Sequence, residues 1–144
     1  MRIMGIDYGD KRIGIALSDE TGILASGVET IRWNGRDPDY AIRRICGLAA
    51  ERGVTEIVIG MPRRTDGRPG ASADKAESLA AALEVETGLL VTRRDERYTT
   101  VIASRMMREA GRTQKDRNEI IDQIAAVVIL QEVLDGRRRG DNRI

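Results

Sequence analysis

The sequence predicts an α/β protein, a mixed sheet made of a three-strand antiparallel meander plus two parallel strands, with helices on both faces. Three observations lead there. Arg2–Asp7 and Arg12–Asp19 are short runs rich in Ile and Leu on either side of Tyr8-Gly9-Asp10-Lys11, the pattern of two antiparallel strands and a tight turn. Two further short apolar runs, Thr55–Gly60 and Leu89–Arg93, each follow a stretch of helical periodicity, as parallel strands joined by helical crossovers do. Ile124–Leu130 is apolar around the whole helical circumference, so that helix is expected to be covered on most sides.

The remaining elements follow in order. Ile23–Trp33 supplies the third strand after a turn at Thr21-Gly22. A helix begins at Asp37-Pro38, repeats Ile42, Ile45, Cys46 and Ala49 at helical spacing, and is closed by Gly53. Thr55–Gly60 then leads through Met61-Pro62 into a polar, flexible stretch from Arg63 to Gly70. Ala71–Thr87 forms a second helix with Ala76, Leu79, Ala80 and Leu83 inward and Gly88 as its stop. A third helix is expected from Thr99 to Ala110, a basic polar loop over Arg112–Asn118, and a last helix from Glu119 to about Gly136. Right-handed crossovers place the fourth and fifth strands parallel to the first, on its other side from the meander. Sites in such sheets lie beyond the carboxyl ends of the parallel strands, where the strand order reverses.

A chain of 144 residues fits one domain, here expected over residues 1–136, with a frayed basic tail over 137–144. With 41% hydrophobic and 33% charged residues, a folded, soluble, highly charged protein is expected. Phe is absent and Trp33, Tyr8, Tyr40 and Tyr98 are the aromatics, which argues against interleaved base-stacking platforms. The absence of His removes imidazole acid–base chemistry and His-containing metal sites. Lone Cys46 allows no internal disulfide and fits a reducing compartment, with a buried thiol as its reading. Neither a signal peptide nor a run of ~20 apolar residues is present, so a cytoplasmic location without membrane contact is expected. The net charge of +1 hides a basic stretch, Arg93–Arg117, with eight basic residues against four acidic. Such clustering suits a phosphate-binding face or a solvated helix surface.

Three carboxylates stand out by position. Asp7 ends an apolar strand, Glu96 follows the strand at Leu89–Arg93, and Asp122 lies in a helix two residues before the apolar run. Each has a structural reading: a turn before Gly9, a helix N-terminus, and a buried charge that needs compensation. One divalent cation, Mg²⁺ or Mn²⁺, compensates all three at once, since such ions take oxygen ligands. Without His, hydrolysis of a phosphodiester through a metal-activated water is the chemistry this set supports. Relief of carboxylate repulsion predicts that Asp122→Asn is at least as stable as wild type without metal.

Gly5-Ile6-Asp7-Tyr8-Gly9 with Lys11-Arg12-Ile13-Gly14, Gly60-Met61-Pro62, Asp95-Glu96-Arg97-Tyr98-Thr99-Thr100, and Asp122 to Leu130 together closely resemble the YqgF family, over Arg2 to about Leu134. That resemblance implies a ribonuclease H-like fold, kinship with RuvC-type Holliday junction resolvases, and maturation of the 5′ end of pre-16S ribosomal RNA. It implies that Asp7, Glu96 and Asp122 are the acidic active-site positions and metal ligands. Lys11, Arg12 and Arg97 match its basic positions, for which phosphate contact is the physical reading. Arg97 orienting Glu96 through a salt bridge is the alternative. Gly5, Gly9 and Gly14 read as points of close backbone approach, or as plain packing. A fourth carboxylate, frequent in such sites, stays open among Asp10, Asp19 and Asp66, with Asp95 a poor candidate because it alternates away from Glu96 along a strand.

Two rivals stand beside the nuclease reading. GIDYGDKRIGIA also looks like the phosphate loop of actin-like, Hsp70-like and sugar kinases, but those enclose nucleotide between two such domains and this chain supplies one. A non-catalytic RNA-binding or ribosome-assembly module is the other. Precursor ribosomal RNA is favoured over a four-way DNA junction on the resemblance alone, with ribosomal particles as a further partner. Both a monomer and a homodimer stay open, a two-fold dimer being what a symmetric junction would need.

Overall fold

The computed structural model describes residues 1–9, 11–34, 36–61, 71–95 and 114–140, without the side chains of residues 71, 72, 95 and 114–120. Its elements are β1 (Arg2–Asp7), β2 (Arg12–Ser18), β3 (Ala25–Arg32), α1 (Asp39–Glu51), β4 (Val54–Met61), α2 (Ala71–Thr87), β5 (Leu90–Asp95) and α3 (Gln114–Arg138). The helix expected over Thr99–Ala110 lies outside the described residues.

The strands form one sheet in the order β3-β2-β1-β4-β5. β1 pairs antiparallel with β2, and β2 with β3, whereas β1–β4 and β4–β5 are parallel. This is the expected meander plus two parallel strands, and the order reverses at β1. Gly53 and Gly88, each at positive φ (66° and 69°), end α1 and α2 as a glycine without Cβ can.

Strand alternation divides the core in two. On one face Met4, Ile6, Ile13, Ile15, Ile57 and Ile59 are buried against Ile45 and Leu48 of α1 and Leu79 and Leu83 of α2. On the other, Ile3, Ala16 and Val58 meet Ala126, Ile129, Leu130 and Leu134 of α3. On this face Gly5, Gly14 and Ala16 carry little or no side chain, so α3 lies very close there. A methyl on Gly5 would stand 2.8 Å from Leu130 Cβ and 2.9 Å from the Ala126 carbonyl.

Three boundaries differ from expectation. β3 starts at Ala25, because the Asp19 carboxylate accepts the N–H groups of Ile23 (2.9 Å) and Leu24 (3.1 Å) and keeps that stretch as a capped turn. α3 starts at Gln114, inside the stretch expected as a loop, since Gln114, Lys115 and Arg117 are polar yet good helix formers. It also runs through Gly136 to Arg138, so Arg137 belongs to the helix rather than to a frayed tail. The Arg137 guanidinium grips Glu56 of β4 with two bonds (2.9 and 2.6 Å), and Glu56 is only 9% exposed. Helix and sheet anchor it; residues 141–144 lie outside the described set.

Candidate active site

Asp7 is the last residue of β1 and 9% exposed. By register it faces Gly14 on β2 and Gly60 on β4, and Gly60 faces Arg94 on β5. The carboxylate therefore stands between two strand neighbours that have no side chains, on the α3 face of the sheet.

Gly14 has a specific use there. The main chain of Asp122 rests directly on it: a methyl at Gly14 would overlap the Asp122 carbonyl carbon and oxygen. Asp122 is thus seated one strand from Asp7, although 115 positions separate them in sequence (122 minus 7). Its side chain, 15% exposed, accepts a 2.8 Å bond from Arg12 Nε at the start of β2. Next along the helix, the Gln123 amide donates to Thr30 Oγ1 of β3 (3.2 Å) and holds α3 in register. Asp7 and Asp122 are brought together; Glu96 follows the last residue of β5 and lies, like Arg97, outside the described residues.

The Arg12 contact corrects one expectation. Asp122 already has a cationic partner, so Asp122→Asn removes half of a partly buried charge-assisted bond rather than relieving repulsion, and a stability loss without metal now follows. Among the fourth-carboxylate candidates, Asp19 is at the opposite end of the sheet, beyond Ser18, where it caps a turn. The hydroxyl of Thr21 and the N–H groups of Ile23, Leu24 and Gly22 hold it at about 2, below the usual 3.8. Asp10 and Asp66 lie outside the described residues. Lys11 is exposed on the β1–β2 hairpin.

The hairpin itself is clasped by a residue that the motifs did not single out. Trp33 Nε1 donates to the Gly9 carbonyl (2.9 Å), its backbone N–H donates to the Lys11 carbonyl (3.0 Å), and its ring meets buried Tyr8 edge-on at 5.8 Å. An aromatic just past the end of β3 was the available signal.

Two acceptor-only carboxylates, both largely removed from water at one end of a sheet, suit a hard divalent cation. Among the described residues no group of three potential ligands gathers, the third expected carboxylate being outside them. Nor is any described helix long and apolar enough to cross a membrane.

A sheet of this order with helices on both faces, a carboxylate ending its first strand and a second delivered by the last helix, defines a ribonuclease H-like protein. Solved structures agree on the fold: Thermus thermophilus RuvC in complex with Holliday junction substrate superposes with a TM-score of 0.62 over 96% of each chain at 16% identity. Fowlpox virus resolvase with Holliday junction DNA gives 0.53 over 93% of this chain and 99% of that one, at 11% identity. The sequence goes further, since residues 1–136 match the family described as RuvX: Holliday junction resolvase. Proteins from Moorella thermoacetica (44% identical, covering 100% of both chains) and Geobacillus kaustophilus (42%, covering 96% of this chain and 100% of the other) bear the provisional name pre-16S rRNA nuclease. The Bacillus subtilis relative, 39% identical over 94% of this chain and 98% of its own, has the same name. The chain belongs to this RuvX (YqgF) family of nucleases, enzymes that hydrolyse phosphodiester bonds.

Proposed function

We propose that this chain is a divalent-metal-dependent endonuclease that cuts structured nucleic acid, with the 5′ end of precursor 16S ribosomal RNA as its substrate and Asp7, Glu96 and Asp122 as its metal-binding, catalytic carboxylates. The observation that carries the site is the seating of Asp122 on Gly14, next to Asp7, at the end of the sheet. The substrate rests on the names of relatives about 40% identical over almost the whole chain.

Mg²⁺ or Mn²⁺, when bound, supplies a Lewis acid that activates water and stabilises the charge developing on the phosphate. The residues supply the rest. Asp7 sits on a sheet strand and Asp122 on a helix seated against that sheet at Gly14, so the fold fixes their backbones relative to each other. Lys11 and Arg12, at the hairpin beside them, and Arg97 after Glu96 are assigned to the phosphate backbone, where charge fixes position without reading sequence. A cytoplasmic enzyme meeting precursor RNA in ribosomal particles is consistent with this assignment.

A second reading, resolution of four-way DNA junctions, is favoured by the description of the family itself. One assay separates the two: metal-free protein is given Mg²⁺ or Mn²⁺ with a precursor ribosomal RNA fragment or a four-way junction, as wild type and Asp7→Asn. Expected is cutting of the RNA by wild type and a rate at least about 100-fold lower for Asp7→Asn with its circular dichroism unchanged. Equal activity of the variant overturns the site, and preferential cutting of the junction overturns the substrate.

A further inference from the structure

Arg12 and Asp122 hold each other, and this pairing uses the carboxylate that the proposed cation would take as a ligand. A guanidinium does not lose its proton at any working pH, so it can vacate Asp122 only by moving. Arg12 has the means: its side chain is 34% exposed at the rim of β2, whereas Asp122, at 15%, is fixed by the helix seated on Gly14. A nucleic-acid phosphate offers it the same kind of charge-assisted bond that the Asp122 carboxylate does.

We infer that Arg12 is the resident counter-cation of the proposed site: it neutralises Asp122 until a divalent cation arrives, competes with that cation, and then transfers to a substrate phosphate. Metal and nucleic acid therefore strengthen each other's binding, as linkage requires of two ligands that displace the same contact. The inference rests on the metal site proposed above.

Isothermal titration of metal-free protein with Mn²⁺ tests it. Removing the competitor in Arg12→Gln is expected to tighten Mn²⁺ binding about 10-fold, the factor equivalent to one charge-assisted hydrogen bond, while Arg12→Lys, which keeps the charge, stays near wild type. Adding Asp7→Asn to Arg12→Gln should abolish the binding. Should Arg12→Gln fail to fold, the wild type answers through nitrogen NMR: the Arg12 Nε–H resonance should leave its paired position on Mg²⁺ addition. Mn²⁺ bound by Arg12→Gln no more tightly than by wild type, or an Arg12 resonance unmoved at saturating Mg²⁺, overturns the inference and leaves the metal site standing. Absence of Mn²⁺ binding to every variant removes the metal site and the inference with it.

Discussion

On the side of α1 and α2 the sheet presents Met4, Ile6, Ile13, Ile15, Ile57 and Ile59; on the side of α3 it presents Ile3 and Val58 together with Gly5, Gly14, Ala16 and Gly27. The first face is filled by bulk and stabilises by removing aliphatic area from water. The second gives up bulk at its glycines, so that a helix can come within backbone contact of the strands there. Packing on the α3 side is organised around position, and its polar pairs show it: Arg12 with Asp122, Gln123 with Thr30, and Arg137 with Glu56 all join α3 to a strand.

If the division of labour is real, substitutions on the two faces should fail differently. The largest expected stability change is on the bulky face, where Ile59→Ala should cost about 2–5 kcal/mol in urea unfolding. Below the transition midpoint its rate of nucleic-acid cutting should stay close to wild type, and a proportional loss of rate would erase the contrast. On the other face, Gly14→Ala should cost about 1–3 kcal/mol, as overpacking does, but lower the cutting rate far more than Ile59→Ala because it lifts Asp122 off its seat. A Gly14→Ala enzyme with normal turnover would show that the close approach is mere packing.

Gly47 provides the control for glycine itself. It lies inside α1 at an ordinary negative φ, and a methyl placed on it would meet nothing within 4 Å, so Gly47→Ala should stabilise by about 0.5–1 kcal/mol with turnover untouched. The smallest effect is expected at the turn after β2. Asp19 is held at about 2 against 3.8, so its contribution is complete above about 4 and is lost as pH falls through about 2. The difference in Tm between wild type and Asp19→Asn should be constant from pH 7 to about 4 and shrink below it; a gap that persists at pH 2 would point to a cause other than the carboxylate charge.

Sheet order and direction were readable because alternation and short apolar runs are local signals, and β1, with Asp7 at its end, was delimited by the turn residues that follow. Helix ends were less legible. Gln114 to Asn118 looks like a loop by polarity but is helical by propensity, and Arg137 looks like a tail until Glu56 is seen opposite it. The candidate site was legible as a set of acids but not as an arrangement. Nothing near Asp122 in the chain announces Arg12, which is 110 positions away, and nothing about Gly14 says which backbone rests on it. Asp19, an acid of the same kind as Asp7, was separable from it only once register put it at the other end of the sheet.

The clasp on the hairpin has a practical consequence. Trp33 is the single tryptophan of the chain, and its indole is bonded to the carbonyl of Gly9, two residues past Asp7. Its emission wavelength and quenching report the solvation of that indole, so a label-free optical signal is already attached to the edge of the proposed site. Binding of metal or nucleic acid can be timed from it in a stopped-flow instrument with the natural sequence intact.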